Sequence, residues 1–229
     1  MDYIIDGFFK AIQLLTSFDQ EVYGIIILSL LVSSTATLIS STFSIPLGIY
    51  LGAKEFKGKR IFSRLLFTSM SVPSVIVGLV VAILLARRGP FGSLQLLFTP
   101  QAMIIAQTLL VIPLCLGLTF NLSRTRGKEI KEMGITMGGS KINTLFLMIR
   151  ELKMDILINI VTTFSRAISE VGAVMIVGGN IKNDTRVITT SIAMFNSMGD
   201  YPTAIALGLV LLLLSFIVNS LIYNYNQGG

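Results

Sequence analysis

Long apolar runs alternate with short charged segments along this chain. Five of the runs approach or exceed the roughly 20 helical residues that a bilayer requires, and we predict them to be membrane spans at residues 22–53, 65–86, 100–122, 156–177 and 202–223. Pro46 and Pro113 are expected to bend the first and third spans. Thr99 and Pro100 are typical of a helix start, with Thr at the N-cap and Pro at the first helical position.

Shorter segments flank these spans. Residues 3–18 contain Asp6 and Lys10 and are too short to cross a bilayer, but their apolar residues recur at helical spacing, which predicts an interfacial amphipathic helix. This segment has no basic start, so we do not expect a cleaved signal peptide. Residues 54–64 are predicted to be a short basic loop, and Ile188–Met198 a short helix or a re-entrant piece.

The middle of the first span is rich in small and hydroxyl-bearing residues, SSTATLISSTFSIPLG. Such residues favour either close helix packing or a polar passage, and the pattern alone leaves both interpretations open.

The second span is interrupted by Ser71-Val72-Pro73-Ser74.

Residues 124–153 form the only long segment that is crowded with charge. Ile130, Met133 and Met137 fall at i, i+3 and i+7, which predicts an apolar stripe on a short helix. Gly138-Gly139-Ser140 should end that helix, and Ser140 should cap a second one. The segment is either a solvated loop on the lipid headgroups or a docking surface for a cytoplasmic partner.

Composition confirms the membrane class and removes several chemistries. The chain is 53% hydrophobic and 13% charged, with mean hydropathy +0.80, which describes a polytopic membrane protein. It has no His, and Cys115 is its one cysteine, so disulfides, Cys/His metal sites and catalysis by His are excluded. No G-x-x-x-x-G-K-[ST] loop is present, so the chain is not expected to hydrolyse ATP.

The distribution of basic residues predicts the topology. With five spans, twelve Lys and Arg residues lie on one side, five on the other, and Arg166 lies inside the membrane. The positive-inside rule then places residues 54–64 and 124–153 in the cytoplasm. The N-terminus, with Asp2, Asp6, Asp19 and Glu21, is expected outside and the C-terminus inside. The basic clusters should face anionic lipid, so we expect no nucleic-acid partner.

The fourth predicted span carries a polar stripe. Its members follow three- and four-residue spacing on one helix: Asn159, Thr162, Thr163, Arg166, Ser169, Glu170 and Ala173. Arg166 lies roughly 16 Å along the helix from Asp155, near the bilayer centre. Arg166 and Glu170, at i and i+4, can pair. The stripe is either an ion pair that holds helices or subunits together, or the lining of a passage for a charged solute.

Four blocks resemble a known family. KEMGITMGGSK (131–141) resembles the coupling loop of ABC-importer permeases, which reads Glu-Ala-Ala, three residues, Gly. Glu132 and Gly138 match, whereas Met133 and Gly134 replace the alanines and Glu151 stands where the family has a proline. The other three blocks are similar to the oxyanion permeases, most closely the tungstate type: VPSVIVGLVVAILLARRGPFG (72–92), LLFTPQAMIIAQ (96–107) and FSRAISEVGAVMIVGGNIKNDTRVITTSIAM (164–194).

The resemblance implies an all-α membrane protein with the type I ABC importer permease fold, as a single domain over residues 1–229 of a multi-pass protein of the prokaryotic plasma membrane. It implies a homodimer with a passage along its two-fold axis, an extracytoplasmic solute-binding protein, and an ATP-binding subunit that uses ATP and Mg²⁺ in place of any cofactor or metal bound by this chain. The implied ATPase-coupling residues are Glu129, Glu132, Met133, Gly134, Met137, Gly138 and Gly139. The candidate pathway or gate residues are Thr162, Arg166, Ser169 and Glu170.

The function we expect is that of a permease subunit, not an enzyme, in an importer for tungstate. Molybdate, sulfate and phosphate are the nearest alternatives. A gradient-driven carrier is the alternative from another class, but such carriers often contain internal repeats, and none is evident here. An intramembrane protease is disfavoured because the chain has no His and no Lys within a predicted span. Glu170 would repel a dianion unless Arg166 neutralises it or it is protonated.

Overall fold

The computed structural model describes residues 2–17 and 20–227, and every regular element within them is helical. Residue 18 of the predicted interfacial helix and Asp19 lie outside the described residues, as does the side chain of Asp2. The elements in chain order are α1 Asp2–Thr16, α2 Gln20–Ala53, α3 Lys59–Met70, α4 Ser74–Leu85, a 3₁₀ turn Gly92–Leu94, α5 Pro100–Thr136, α6 Lys141–Glu151, α7 Lys153–Ile168, α8 Gly172–Gly178, α9 Ile188–Ser197 and α10 Tyr201–Gln227.

The centre of the fold is the long contact between α2 and α5. Most of the buried residues of α2 are small or hydroxyl-bearing: Ser29, Ser33, Ala36, Thr37, Ser40, Ser41, Ser44, Gly48 and Gly52. A Cβ atom on Gly52 would lie 2.5 Å from the carbonyl oxygen of Phe120, so the two backbones touch there. Ser123 Oγ also donates to the carbonyl of Ile49 over 2.7 Å. These residues therefore serve close helix packing.

Two of the predicted spans are bent pairs of helices. α3 and α4 meet at 88° and α7 and α8 at 56°. The first break lies at Pro73, which has no N–H and disfavours helical geometry at the residue before it. The predicted interruption of the second span at Ser71–Ser74 is therefore confirmed. The expectation of one continuous helix over 156–177 was wrong. α3 also begins at Lys59, so only part of the predicted 54–64 loop is irregular.

Three helical segments are long and apolar enough to cross a membrane, and the number rises to five if each bent pair forms one span. The three are Gln20–Ala53, Pro100–Thr136 and Tyr201–Val218. The protein is therefore all-helical with three to five candidate spans. α2 continues through Pro46 and α5 through Pro113.

α5 does not end where its apolar run ends. It continues as one helix of 37 residues to Thr136, so the predicted separate short helix after residue 124 was wrong. Lys, Arg and Glu are good helix formers, and charge ends only the membrane-compatible part of a helix. The two predicted caps are confirmed: Thr99 Oγ1 accepts from the N–H of Ala102, and Ser140 Oγ from that of Asn143.

The N-terminal segment is the predicted helix, and it packs along α10. Lys10 Nζ donates to Thr203 Oγ1 and lies 3.6 Å from a carboxylate oxygen of Asp200, just before α10. The Thr203 hydroxyl, which donates to Asp200, is the main reason that the pKa of Asp200 lies below its usual value, and Lys10 adds to the effect. The position of α1 at a membrane interface stays a prediction. Ile188–Ser197 forms a helix, the first of the two predicted alternatives.

Candidate functional site

The break between α7 and α8 brings together the charged residues that the sequence analysis singled out. α7 ends at Ile168 and α8 begins at Gly172. Arg166 Nη1 donates to Glu170 Oε2 over 2.6 Å, so the predicted pair forms. The Arg166 side chain is 43% exposed and that of Glu170 only 3%. The pair thus joins one buried anion to a cation that reaches the surface.

Glu170 also shapes the start of α8. Its second carboxylate oxygen, Oε1, accepts from the backbone N–H of Ala173 over 3.2 Å. The first N–H groups of a helix have no partner within the helix, and a carboxylate there also interacts favourably with the helix dipole. The hydroxyl of Ser74, at the start of α4, hydrogen-bonds to Glu170 as well. The carboxylate therefore caps the start of α8 and also contacts α4.

Residues from distant parts of the chain hold the backbone of the break. Gln107 on α5 donates from Nε2 to the carbonyl of Ala167 over 3.0 Å, in the last turn of α7. Thr189 on α9 donates from Oγ1 to the carbonyl of Glu170 over 2.7 Å. Both Gln107 and Thr189 are buried. The bend is consequently part of the packed interior.

The two bent pairs meet at their breaks. A Cβ atom on Gly78 of α4 would lie 2.6 Å from the Cα of Ala173. One on Gly172 would lie 2.8 Å from Val75 Cγ2 and 3.0 Å from Ser74 Oγ. Glycine at both positions allows α4 and α8 to approach at backbone distance.

The predicted polar stripe is divided by the break. Thr162, Arg166 and Ser169 are exposed, whereas Thr163 and Glu170 are buried. Thr162 and Ser169 donate their hydroxyls to backbone carbonyls four residues earlier. The expectation that all these residues share one face of one helix was therefore wrong, because the chain turns after Ile168. Thr162, Arg166 and Ser169 remain together on the exposed side of α7 and of the break.

The other candidate site is the turn between α5 and α6. Gly138 has φ +76°, and Gly139 N–H donates to the carbonyl of Gly134 over 3.0 Å, which closes the helix end as a Schellman motif. A Cβ atom on Gly134 would lie 3.0 Å from Thr144 on α6, so this buried glycine lets the two helices meet. The outer side of the turn is exposed, including Glu129, Glu132, Met133, Met137 and Gly138.

Among the described residues no group of three or more His, Cys, Asp or Glu side chains is placed to hold a metal ion. Cys115 is buried in the contact between α2 and α5, where its sulfur lies 3.8 Å from Ser41 Oγ.

Comparison with known proteins identifies the family. Residues 44–228 match the family described as the binding-protein-dependent transport system inner membrane component. This chain belongs to that family. It is therefore a multi-pass inner membrane protein of an ABC transport system, and its helical fold agrees with that assignment.

The chain is also similar to individual permease proteins of known transport systems. The chain is 66% identical over 227 residues, which is 99% of its length and all of the relative, to the tungstate uptake system permease protein TupB of Peptoclostridium acidaminophilum. It is 39% identical to the protein of the same name from Campylobacter jejuni, over 96% of this chain and 92% of that one. It is 24% identical to the sulfate transport system permease protein CysT of Salmonella typhimurium, over 84% and 74%.

Sequence reasoning missed three residues that organise the break in this permease: Ser74, Gln107 and Thr189. Gln107 did carry a signal, because it is an amide well inside the largely apolar run of 100–122. A polar side chain in such a run usually has a partner on another helix. Ser74 and Thr189 are ordinary helix-start residues, and nothing in their own segments pointed to Glu170.

Proposed function

We propose that this chain is the membrane subunit of an ATP-driven importer for tungstate. The observation that carries the proposal is the 66% identity, over essentially both whole chains, to a tungstate uptake system permease protein. The second tungstate relative supports it at 39%, whereas the sulfate permease stands at 24%. Molybdate, sulfate and phosphate are the alternative substrates.

The energy for transport comes from a partner subunit that binds ATP and Mg²⁺. We place its docking site at the turn between α5 and α6, because exposed apolar residues collect there: Met133, Ile135, Met137, Ile142 and Phe146. A contiguous apolar patch on a charged, soluble part of a protein is typical of a partner surface. Glu129 and Glu132 lie on the exposed side of the same turn and offer charge at its rim.

The passage for the anion lies along Thr162, Arg166 and Ser169, facing the same surface of a second copy of the chain. Support comes from their common exposure and from the partly exposed guanidinium of Arg166. Glu170 is turned inward and is bonded on both carboxylate oxygens. It therefore does not present a free negative charge to a dianion, and the repulsion expected from an unpaired Glu170 does not apply.

The cytoplasmic side is that of residues 54–64 and 124–153, with the N-terminus outside and the C-terminus inside. The excess of basic residues supports this orientation. We expect an impermeant thiol reagent to label Asn183→Cys from outside and Ser140→Cys only after permeabilisation. Cys115 is buried and gives a low background. The reverse labelling pattern would contradict the orientation.

Transport assays test the substrate. Vesicles that contain the permease, its ATP-binding subunit and its solute-binding protein should accumulate radiolabelled tungstate in an ATP-dependent manner. Molybdate and sulfate should be taken up more slowly. Binding of the three anions to the solute-binding protein, measured separately, distinguishes selection at capture from selection in the membrane. ATP-independent uptake would refute the importer assignment, and preferential uptake of sulfate would refute the tungstate assignment.

A pair of glycine variants tests the docking site. Gly138→Val introduces strain at φ +76° within the turn, and Gly58→Val introduces it at φ +90° in the loop before α3, where nothing lies within 4 Å of the new Cβ. Gly138→Val should abolish coupling, seen as loss of transport-stimulated ATPase activity with normal membrane insertion. Gly58→Val is the control and should keep coupling. Equal ATPase stimulation in the two variants would refute the site.

Thiol modification tests the passage. We expect Ser169→Cys and Thr162→Cys to react with a small anionic thiol reagent, tungstate to slow that reaction, and the modification to block uptake. Leu212→Cys, at an exposed position on α10, is the control. Modification of Ser169→Cys without any loss of uptake would contradict the placement of the passage.

A further inference from the structure

A cavity beside the α5–α6 turn is lined by three lysines. It has a volume of about 250 Å³ and lies between the end of α2, the last turns of α5 and the start of α6. The lysines are Lys54, Lys131 and Lys141, and no carboxylate among the described residues lines the cavity. Three like charges around one space favour an anion within it.

The polar groups of this cavity, which we call the lysine pocket, are arranged around its wall. Lys54 Nζ lies 3.0 Å from the hydroxyl of Tyr50, so ammonium and phenol stand together. Lys131 Nζ is held by the carbonyl of Ala53 at 2.7 Å. Thr144 contributes a buried hydroxyl oxygen that has no hydrogen-bond partner in the described part of the chain.

The rest of the lysine pocket is apolar. Its apolar lining consists of Ile135, Leu145 and Met148, together with Ala53 at the end of α2. A small hydrated oxyanion would gain nothing from this surface. A molecule with a charged group and a hydrocarbon part would use both halves of the lining.

The pocket lies where the apolar part of the protein ends. α2 is uncharged from Val22 to Ala53, and Lys54 is its first following charge. α5 changes from apolar to charged at Arg124 and reaches the pocket through Lys131 and Ile135. Lys54 is thus the first charge after a long apolar helix, and basic residues close to a membrane surface attract anionic lipid.

We propose that the lysine pocket binds the phosphate group of an anionic phospholipid, with Lys54 and Lys141 contacting the phosphate and Leu145 and Met148 the adjoining hydrocarbon. The same phosphate chemistry is available from free inorganic phosphate, but the apolar wall favours the lipid. Since the pocket contains residues from both helices of the turn, Ile135 and Lys141, a bound lipid would brace the surface that we assign to the ATP-binding partner. The pocket itself requires no assumption about the transported anion.

Titration of the purified full-length permease with short-chain phosphatidylglycerol, followed by native mass spectrometry, tests the proposal. The double variant Lys54→Gln/Lys141→Gln should bind this lipid roughly 30-fold more weakly than the wild type. Lys57→Gln/Lys128→Gln is the control, since it removes the same charge from exposed positions outside the pocket. The control should bind as the wild type does, and short-chain phosphatidylcholine should bind weakly to all three proteins.

Equal lipid affinity in the double variant and the wild type would overturn the proposal, as would an equal loss in the control. Inorganic phosphate is the second arm: if it displaces phosphatidylglycerol at equimolar concentration, the pocket is a site for a free anion and the lipid assignment is wrong. Lys141→Gln alone guards against failure of the double variant to fold, because Lys141 is exposed at the start of α6. It should weaken phosphatidylglycerol binding by a smaller factor in the same direction, and an unchanged affinity would count against the proposal.

Discussion

The break between α7 and α8 and the turn between α5 and α6 solve the same problem in different ways. Both stop one helix and start another, yet the partners of the break come from far along the chain and those of the turn are local. Glu170 and its neighbours are held by Ser74, Gln107 and Thr189. The turn is closed by bonds that join residues no more than five apart, such as Gly139 N–H to the Gly134 carbonyl.

This difference indicates in which of the two regions, the break or the turn, side chains can be substituted without disturbing the fold. A buried carboxylate with several partners transmits any substitution to the helices that it contacts, because unmatched buried charge is costly. An exposed turn stabilised by its own backbone leaves its outer side chains free to bind another protein. The break is therefore suited to a fixed element beside a pathway, and the turn to a contact surface.

The largest expected effect lies at the ion pair. Arg166→Gln leaves the buried carboxylate of Glu170 without its cation and should cost about 3–5 kcal/mol of stability. Glu170→Gln should cost less, since Arg166 is 43% exposed and can turn to solvent. Thermal unfolding of both variants in the same detergent checks the order. A greater loss from Glu170→Gln would show that its hydrogen bonds at the start of α8 outweigh the pairing.

Gly78→Ala should have the next largest effect. The added methyl would meet the Cα of Ala173 at 2.6 Å, and overpacking of this kind costs about 1–3 kcal/mol. Gly208→Ala, in α10 with nothing within 4 Å, is the matched control and should be neutral or slightly stabilising. Unfolding midpoints that do not differ between the two would mean that α4 and α8 separate readily, contrary to a rigid break.

A smaller effect is expected at the turn. Ser140→Ala removes the N-cap of α6 and should cost about 1 kcal/mol, confined to that helix. Hydrogen exchange should accelerate at the first amides of α6 and remain unchanged at the break. Ser197→Ala, an exposed serine at the end of α9, serves as the control. Faster exchange at Thr189 or Gly172 in Ser140→Ala would show that the two regions are coupled after all.

The smallest effect concerns the contact of Lys10 on α1 with Asp200 and Thr203, which anchors α1 to α10. Unlike the break and the turn, it is an exposed contact between two helices. The pKa of Asp200 is lower in the folded protein than in the unfolded chain, where it is about 3.9. The ionised carboxylate therefore stabilises the fold at pH values above the unfolded pKa, and this stabilisation is lost as the pH falls through the folded pKa. Hydrogen exchange in α1 should therefore rise as the solution is acidified below about pH 4. Asp200→Asn should remove that dependence. An unchanged acid response in the variant would exclude this anchor.

Local signals in the sequence were read correctly wherever their partners were local. The caps at Thr99 and Ser140 and the helix break at Gly138 were predicted and are found. The pairing of Arg166 with Glu170 also followed from their spacing of four residues. The roles of these residues in coupling and transport stay predictions, since geometry alone does not test them.

The prediction of one continuous helix over 156–177 failed at the break after Ile168. The helical spacing of Asn159 through Ala173 predicted that they share one face. Spacing alone does not reveal that the Glu170 carboxylate caps a new helix that begins at Gly172. A second error concerned α5, where a span ending at residue 122 and a short helix before Gly138 were predicted, and one continuous helix is found. Hydropathy reports the environment of a segment, and helix length depends on backbone propensity and capping.

The sequence by itself determined the membrane class, the all-helical architecture, the family and the local helix ends, because each depends on composition or on residues within one turn of each other. The interruption at Ser71–Ser74 was also visible in the sequence, but only the tertiary structure decided the bend after Ile168 and the contact between the two bent pairs. It also decided the inward direction of Glu170 and the grouping of Lys54, Lys131 and Lys141 around one cavity. These depend on which helices pack together, and a close approach such as that of Gly78 to Ala173 joins residues 95 positions apart.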